Sequence, residues 1–229
     1  MSDTLHPQVA AIAELRRKLR ETRVLDANAL RKQVLLGIEV TNAGGPVVEQ
    51  RRELMVPRPN GGEAMRIVLN APASSRGLCV YFHGGGFVIC SPESHDKIAR
   101  TIAVEARCTV ASVDYRMGPE HPYPAAHDDA LDAAHWLMDM ANALSGSGRV
   151  VFAGDSAGGN LALTAAQWAI ANGRTPAGVL LLYPYLRRDS ESRRRYGPDD
   201  RIIDDEVIGE RPAHRRRSDP PLPLTAPLL

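Results

Sequence analysis

From residue 77 to residue 184 the sequence alternates short apolar runs with helix-length segments. The runs are GLCVYFH (77–83), TVASVDY (109–115), RVVFAG (149–154) and GVLLLYP (178–184), with helical stretches near 94–106, 124–143 and 157–172 between them. Strands that are apolar at nearly every position are buried on both faces. Strands joined by crossover helices pair in parallel. The pattern therefore restricts the chain to an α/β fold: a mostly parallel sheet flanked by helices. Ahead of it, 47–57 and 64–70 read as two further strands separated by the turn-rich break Pro57–Gly62. No internal repeat is visible.

Both flanks differ from this rhythm. Within residues 1–36, Leu5, Val9, Ile12, Leu15 and Leu19 recur at three- and four-residue steps, with Glu14, Arg16, Arg17 and Lys18 mostly between them. That spacing predicts an amphipathic helix packed on the domain. Residues 187–229 contain ten Arg, nine Asp or Glu and six Pro. A solvated, poorly ordered tail is expected there, because charge and proline leave little apolar surface to bury.

Charge and cysteine content exclude several classes. The 229 residues hold 28 Lys or Arg against 27 Asp or Glu, a net charge of +1. No dominant basic face for nucleic acid is expected from that balance, since acids interleave the arginine runs. Cys79, Cys90 and Cys108 have neither zinc-type spacing nor an even count. They argue against a disulfide scaffold and for a reducing compartment. With no leader-like N-terminus and no long apolar stretch, a soluble cytoplasmic protein without a membrane span is the expectation.

Two motifs carry chemistry. Gly154-Asp155-Ser156-Ala157-Gly158-Gly159 lies between the strand RVVFA and a predicted helix. It fits G-x-S-x-G, the turn that lifts a serine Oγ clear of the backbone. His83-Gly84-Gly85-Gly86 follows the strand LCVYF. Consecutive glycines leave backbone N–H groups uncovered, and such groups can face an anionic oxygen. Neither stretch has the G-K-[ST] of a phosphate loop or the spacing of a dinucleotide fingerprint.

Together with Asp114-Tyr115-Arg116-Met117-Gly118-Pro119-Glu120-His121-Pro122-Tyr123-Pro124-Ala125-Ala126, these motifs resemble the hormone-sensitive-lipase-type branch of the α/β-hydrolase superfamily, among bacterial carboxylesterases. The resemblance runs from about residue 47 to about residue 186. It implies an α/β-hydrolase fold with an N-terminal helical cap segment over 1–46, a core over 47–186 and a tail over 187–229. It implies a serine hydrolase of short-to-medium acyl esters, with a small-molecule ester as partner and no metal or organic cofactor. Ser156 would be the nucleophile, with Gly84, Gly85 and Ala157 supplying oxyanion-hole N–H groups. Asp155 would support the elbow and His83 would shape the loop. Glu120, His121, Asp128 and Asp129 would hold the neighbouring loop and helix.

The same resemblance implies that a triad acid and histidine follow Ser156 on two later strands. No such strands are legible after residue 186, so the last two strands of the fold are expected to be missing from this chain. His214 is the sole histidine after Ser156, and Asp204, Asp205 and Asp219 are acids by position alone. His95 reads as a first-turn polar residue of the next helix. His127 and His135 share a helix face eight residues apart, without a further ligand cluster to make a metal site. Two readings stay open: an esterase of weak or absent activity, and a catalytically dead hydrolase remnant serving as a binding module or fragment. In either case GVLLLY is expected at an open sheet edge, available for self-association.

Overall fold

The computed structural model describes residues 27–59 and 61–186. The expectations for 1–26 and for the 187–229 tail, with His214, Asp204, Asp205 and Asp219, lie outside the described residues. In chain order the elements are α1 (Ala27–Asn42), β1 (Gln50–Val56), β2 (Met65–Ala71), β3 (Leu78–Phe82) and α2 (Asp96–Glu105). They continue with β4 (Thr109–Val113), α3 (Ala125–Ser145), β5 (Val150–Asp155), α4 (Ala157–Ala171) and β6 (Gly178–Leu182).

The six strands form one sheet in the order β1-β2-β4-β3-β5-β6. β4, β3, β5 and β6 run parallel, as the alternating pattern predicts. β1 and β2 pair antiparallel, and β2 joins β4 antiparallel. The sheet is thus mixed at one end, where the Pro57–Gly62 break allows a direct reversal in place of a crossover helix.

Alternation along the strands feeds two cores. Leu78, Val80 and Phe82 of β3, Ala111 and Val113 of β4 and Phe152 of β5 join Leu137, Leu161 and a run of alanines from α3 and α4. Cys79, Tyr81, Val110 and Ala153 face the other way, onto Ala99 and Ala103 of α2. On α3 the buried positions Ala126, Ala130, Ala133, Ala134, Leu137 and Ala141 form one helical stripe. The small side chains let α3 and α4 approach the sheet and each other closely. α3 ends at Gly146, whose φ of 67° is the left-handed conformation that stops a helix.

α1 is tied down at both ends by polar contacts. Arg31 donates to Val88 O at 2.8 Å and Gly118 O at 2.7 Å and forks onto Glu120 at 2.7 and 2.8 Å. Asn42 donates to Glu93 O, and its Oδ1 accepts the backbone N–H of Lys97 in the first turn of α2. Leu35, Leu36 and Val40 remain exposed.

Candidate active site

β5 runs directly into α4 through Ser156. The serine has φ 51° and ψ −117°, a sparsely populated backbone conformation for a residue with a Cβ. Such strain costs on the order of 1–3 kcal/mol and persists only where the surroundings enforce it. Here they do. Ser156 N–H donates to Leu182 O of β6 at 2.9 Å, and Ser156 O accepts from Tyr185 N–H at 2.9 Å. A Cβ on Gly158 would strike Phe82 O, and one on Gly154 would strike Gly158 O. These glycines are required by the close passage of β3 and α4 past the turn. Ser156 sits at the N-terminal end of α4, where first-turn N–H groups such as that of Ala157 have no helical acceptor. Ser156 Oγ makes no hydrogen bond to any described residue.

The glycine loop lies against this turn. His83 is buried, and its Nδ1 is 2.7 Å from Gly84 O. A carbonyl only accepts, so Nδ1 carries the proton. Tyr115 stacks on the ring at 4.4 Å between centroids and donates to His83 O at 2.8 Å. Burial pushes the His83 pKa down to about 4, so the ring is neutral at neutral pH and shapes the loop. Val88 and Ile89 both donate to Gly85 O, closing the loop into a tight turn.

One assignment is corrected. Gly84 N–H donates to Asp155 Oδ1 at 2.9 Å, so it has no donor left for an oxyanion. A Cβ at Gly84 would overlap the same carboxylate, which explains the glycine. Gly85 and Gly86, with φ of 128° and 60°, donate their N–H groups to no described residue. The loop's free donors therefore lie one residue further along than the sequence suggested.

Asp155 organises the junction. Its Oδ1 accepts Tyr81 O–H at 2.7 Å as well as Gly84 N–H. Its Oδ2 faces His95 Nε2 and Tyr183 O–H, each at 3.5 Å. Burial raises the carboxyl pKa, but the contacts from His95, Tyr81 and Gly84 outweigh it and hold Asp155 below its ordinary value. The Tyr81 phenol is pushed up by burial and by the carboxylate, so it stays a donor. His95, read from sequence as a first-turn polar residue, instead turns inward at the N-terminal boundary of α2. Its partner lies far along the chain, which no local pattern could reveal.

The other expected residues separate. Asp129 is fully buried between Arg58 and Arg116, with N–O distances of 2.9 and 2.8 Å, and fastens α3 to two loops. Glu120 fastens α1 through Arg31. Asp128 is exposed on the first turn of α3. His121 lines a small concavity with Phe87, Pro122, Tyr123 and His127. His127 Nε2 lies 3.0 Å from Asn160 Oδ1, whereas His135 lies beside Asp139 and Trp168. Among the described residues no group of His, Cys, Asp and Glu could hold a metal ion. Cys79, Cys90 and Cys108 are free thiols. No helix of the described residues is long and apolar enough to cross a membrane.

Several proteins similar to this chain are esterases. A family model described as the alpha/beta hydrolase fold matches residues 79–212. Carboxylesterase NlhH of Mycobacterium tuberculosis is 44% identical over 134 residues, covering 57% of this chain and 42% of its own. Esterase LipI of the same organism is 38% identical over 173 residues, covering 70% of this chain and 54% of its own. The esterase structure of Pyrobaculum calidifontis superposes with a TM-score of 0.72 at 33% identity, covering 90% of this chain and 68% of its own. The thermostable carboxylesterase EstE1, from a metagenomic library, gives 0.69 at 29% identity, covering 81% and 65%. The chain thus spans about half the length of the curated relatives it matches.

Proposed function

Because the chain belongs to the α/β-hydrolase fold family, we propose that its chemistry is hydrolysis of short-to-medium acyl carboxylic esters through an acyl-enzyme on Ser156. The observation that carries this reading is the backbone of Ser156, held at φ 51° and ψ −117° between a buried strand and a helix N-terminus. In this reading the turn presents the hydroxyl to substrate, and the N–H groups of Gly85, Gly86 and Ala157 serve as the oxyanion donors. In the reaction Ser156 Oγ attacks the ester carbonyl carbon. The carbonyl oxygen becomes an oxyanion in front of those N–H groups. The alcohol leaves, and water releases the acid from the acyl-serine. Loss of one such donor typically costs about 10²–10³ in rate.

Attack also needs a base to accept the serine proton. Among the described residues none contacts Ser156 Oγ. We therefore expect turnover to be weak. The concavity of Phe87, Pro122, Tyr123 and His127 is an apolar site for an acyl or alcohol group, and α1 would form part of a cap beside it. The three free thiols fit a reducing cytoplasm. The second reading, a catalytically dead scaffold, draws on the same bare Oγ.

Hydrolysis of p-nitrophenyl acetate and butyrate by the full chain, beside Ser156→Ala, tests the proposal. Release of p-nitrophenol that vanishes in Ser156→Ala supports it. Equal background rates from the two proteins favour the dead scaffold.

A further inference from the structure

We infer that His95 is a positioning residue for the oxyanion loop, acting through Asp155; the inference rests on the reading of Ser156 as nucleophile. Two contacts hold the ring. Ser94 Oγ, which accepts Ser91 N–H at 2.9 Å and lies 2.8 Å from Ser91 O, is 2.9 Å from His95 Nδ1. His95 Nε2 lies 3.5 Å from Asp155 Oδ2. A carboxylate only accepts, so Nε2 is the donor in that contact. The ring is largely shielded from solvent, with 13% of its side chain exposed.

The ring has one geometric task at the site. Asp155 divides its oxygens, Oδ1 to Gly84 N–H and Tyr81 O–H and Oδ2 to His95 and Tyr183. With Oδ2 held, Oδ1 points at Gly84 and anchors the loop one residue before its free donors. Without His95, the Tyr183 contact at 3.5 Å is what remains on Oδ2, and the carboxylate can rotate away from Gly84. The other titratable groups facing His95 cannot take its place. His83, with ring centroids 5.6 Å apart, is kept neutral by burial, and its own proton is spent on Gly84 O. Tyr81, 6.3 Å from His95 between ring centroids, already serves Oδ1. Glu93 is engaged by Arg66, and Asp96 by Arg100.

The test uses the full chain with an alkyl fluorophosphonate, from which Ser156 Oγ displaces fluoride at phosphorus. Ser156→Ala sets the background. His95→Ala is expected to slow labelling about tenfold or more, as a partial loss of oxyanion donors would. His95→Gln, which keeps an N–H for Asp155, should recover much of it. Independently of reactivity, the Gly84 amide resonance in ¹H–¹⁵N spectra should shift in His95→Ala and return toward its wild-type position in His95→Gln, because Gly84 N–H is the group that Asp155 holds. Native-like melting of His95→Ala with wild-type labelling overturns the inference. So does a Gly84 amide resonance left at its wild-type position in His95→Phe, which keeps a ring without an N–H and decides the matter if His95→Ala does not fold. Wild-type protein that never labels overturns the reading of Ser156, and the ¹⁵N spectra alone then decide whether His95 holds Asp155.

Discussion

Along β3 the side chains alternate between two unlike environments. Leu78, Val80 and Phe82 enter an all-apolar core beneath α3 and α4. Cys79 and Tyr81 enter a smaller one beneath α2, where the same sheet face also carries Asn70 and Ser112 and leads to His83, His95 and Asp155. The first face is held by burial, which is strong and tolerant of direction. Around Asp155 the second is held by hydrogen bonds from Tyr81 and Gly84, each worth less but fixed in angle. The division teaches where a site of this kind can be built. The apolar face supplies the stability that lets the polar face keep strained serine backbone and buried charge.

The largest effect should come from breaking the apolar face. Phe152→Ala removes a fully buried ring from the strand that delivers Ser156. A loss of about 3–5 kcal/mol is expected in chemical denaturation. The fluorophosphonate labelling rate per folded molecule should change far less. Equal damage to both would show that the faces are not separable.

Acid should break the polar face first. His83 is neutral and buried, with its pKa lowered to about 4 against an ordinary 6.5. Between those values the unfolded chain binds a proton that the native chain refuses. Stability is therefore full above about pH 6.5 and falls as pH drops toward 4, by on the order of 3 kcal/mol. Urea midpoints across that range, in wild type and His83→Gln, measure it. A flat profile in wild type would mean that His83 accepts its proton in place.

The same division decides what the sequence could reveal. Buried strands announce themselves by unbroken apolar runs, so the elements from β3 to β6 were legible within a residue or two. Gly154 and Gly158 were legible because a turn this tight admits no Cβ. The antiparallel entry of β1 and β2 was not, since a strand's own periodicity carries no direction. Three successive glycines are equivalent on paper. Only the carboxylate of Asp155 shows that Gly84 N–H is consumed and that the free donors are those of Gly85 and Gly86. His95 was passed over for the same reason, because its meaning resides in a contact with a residue distant in the chain.

A smaller effect separates the two faces at a single atom. Tyr81→Phe keeps the ring packed against α2 and deletes only the hydroxyl that Asp155 accepts at 2.7 Å. The expected cost is roughly 1.5–3 kcal/mol, the range for a hydrogen bond to a charged group. If the polar face serves positioning, labelling of Ser156 should slow in this variant while Phe152→Ala leaves it nearly untouched. The reverse ranking would reduce the network to ordinary core structure.

The smallest effect lies at β6, where neither face is complete among the described residues. Val179 pairs with Phe152 and Leu180 with Ala153, both partners fully buried, yet Val179 is 40% and Leu180 42% exposed. Sequence composition is not the difference, because β6 (GVLLL) is more apolar than β5 (VVFAGD); position at the sheet margin is. An apolar edge with free backbone groups invites a second strand. Leu180 belongs to neither core cluster, so Leu180→Lys should change stability by no more than about 0.5 kcal/mol. Its effect should appear in sedimentation velocity, with wild type gaining mass as concentration rises and the lysine variant staying monomeric. Identical, concentration-independent profiles would mean that the margin is already covered in solution. The sheet would then have two finished faces and a closed edge, and the contrast between β5 and β6 would vanish.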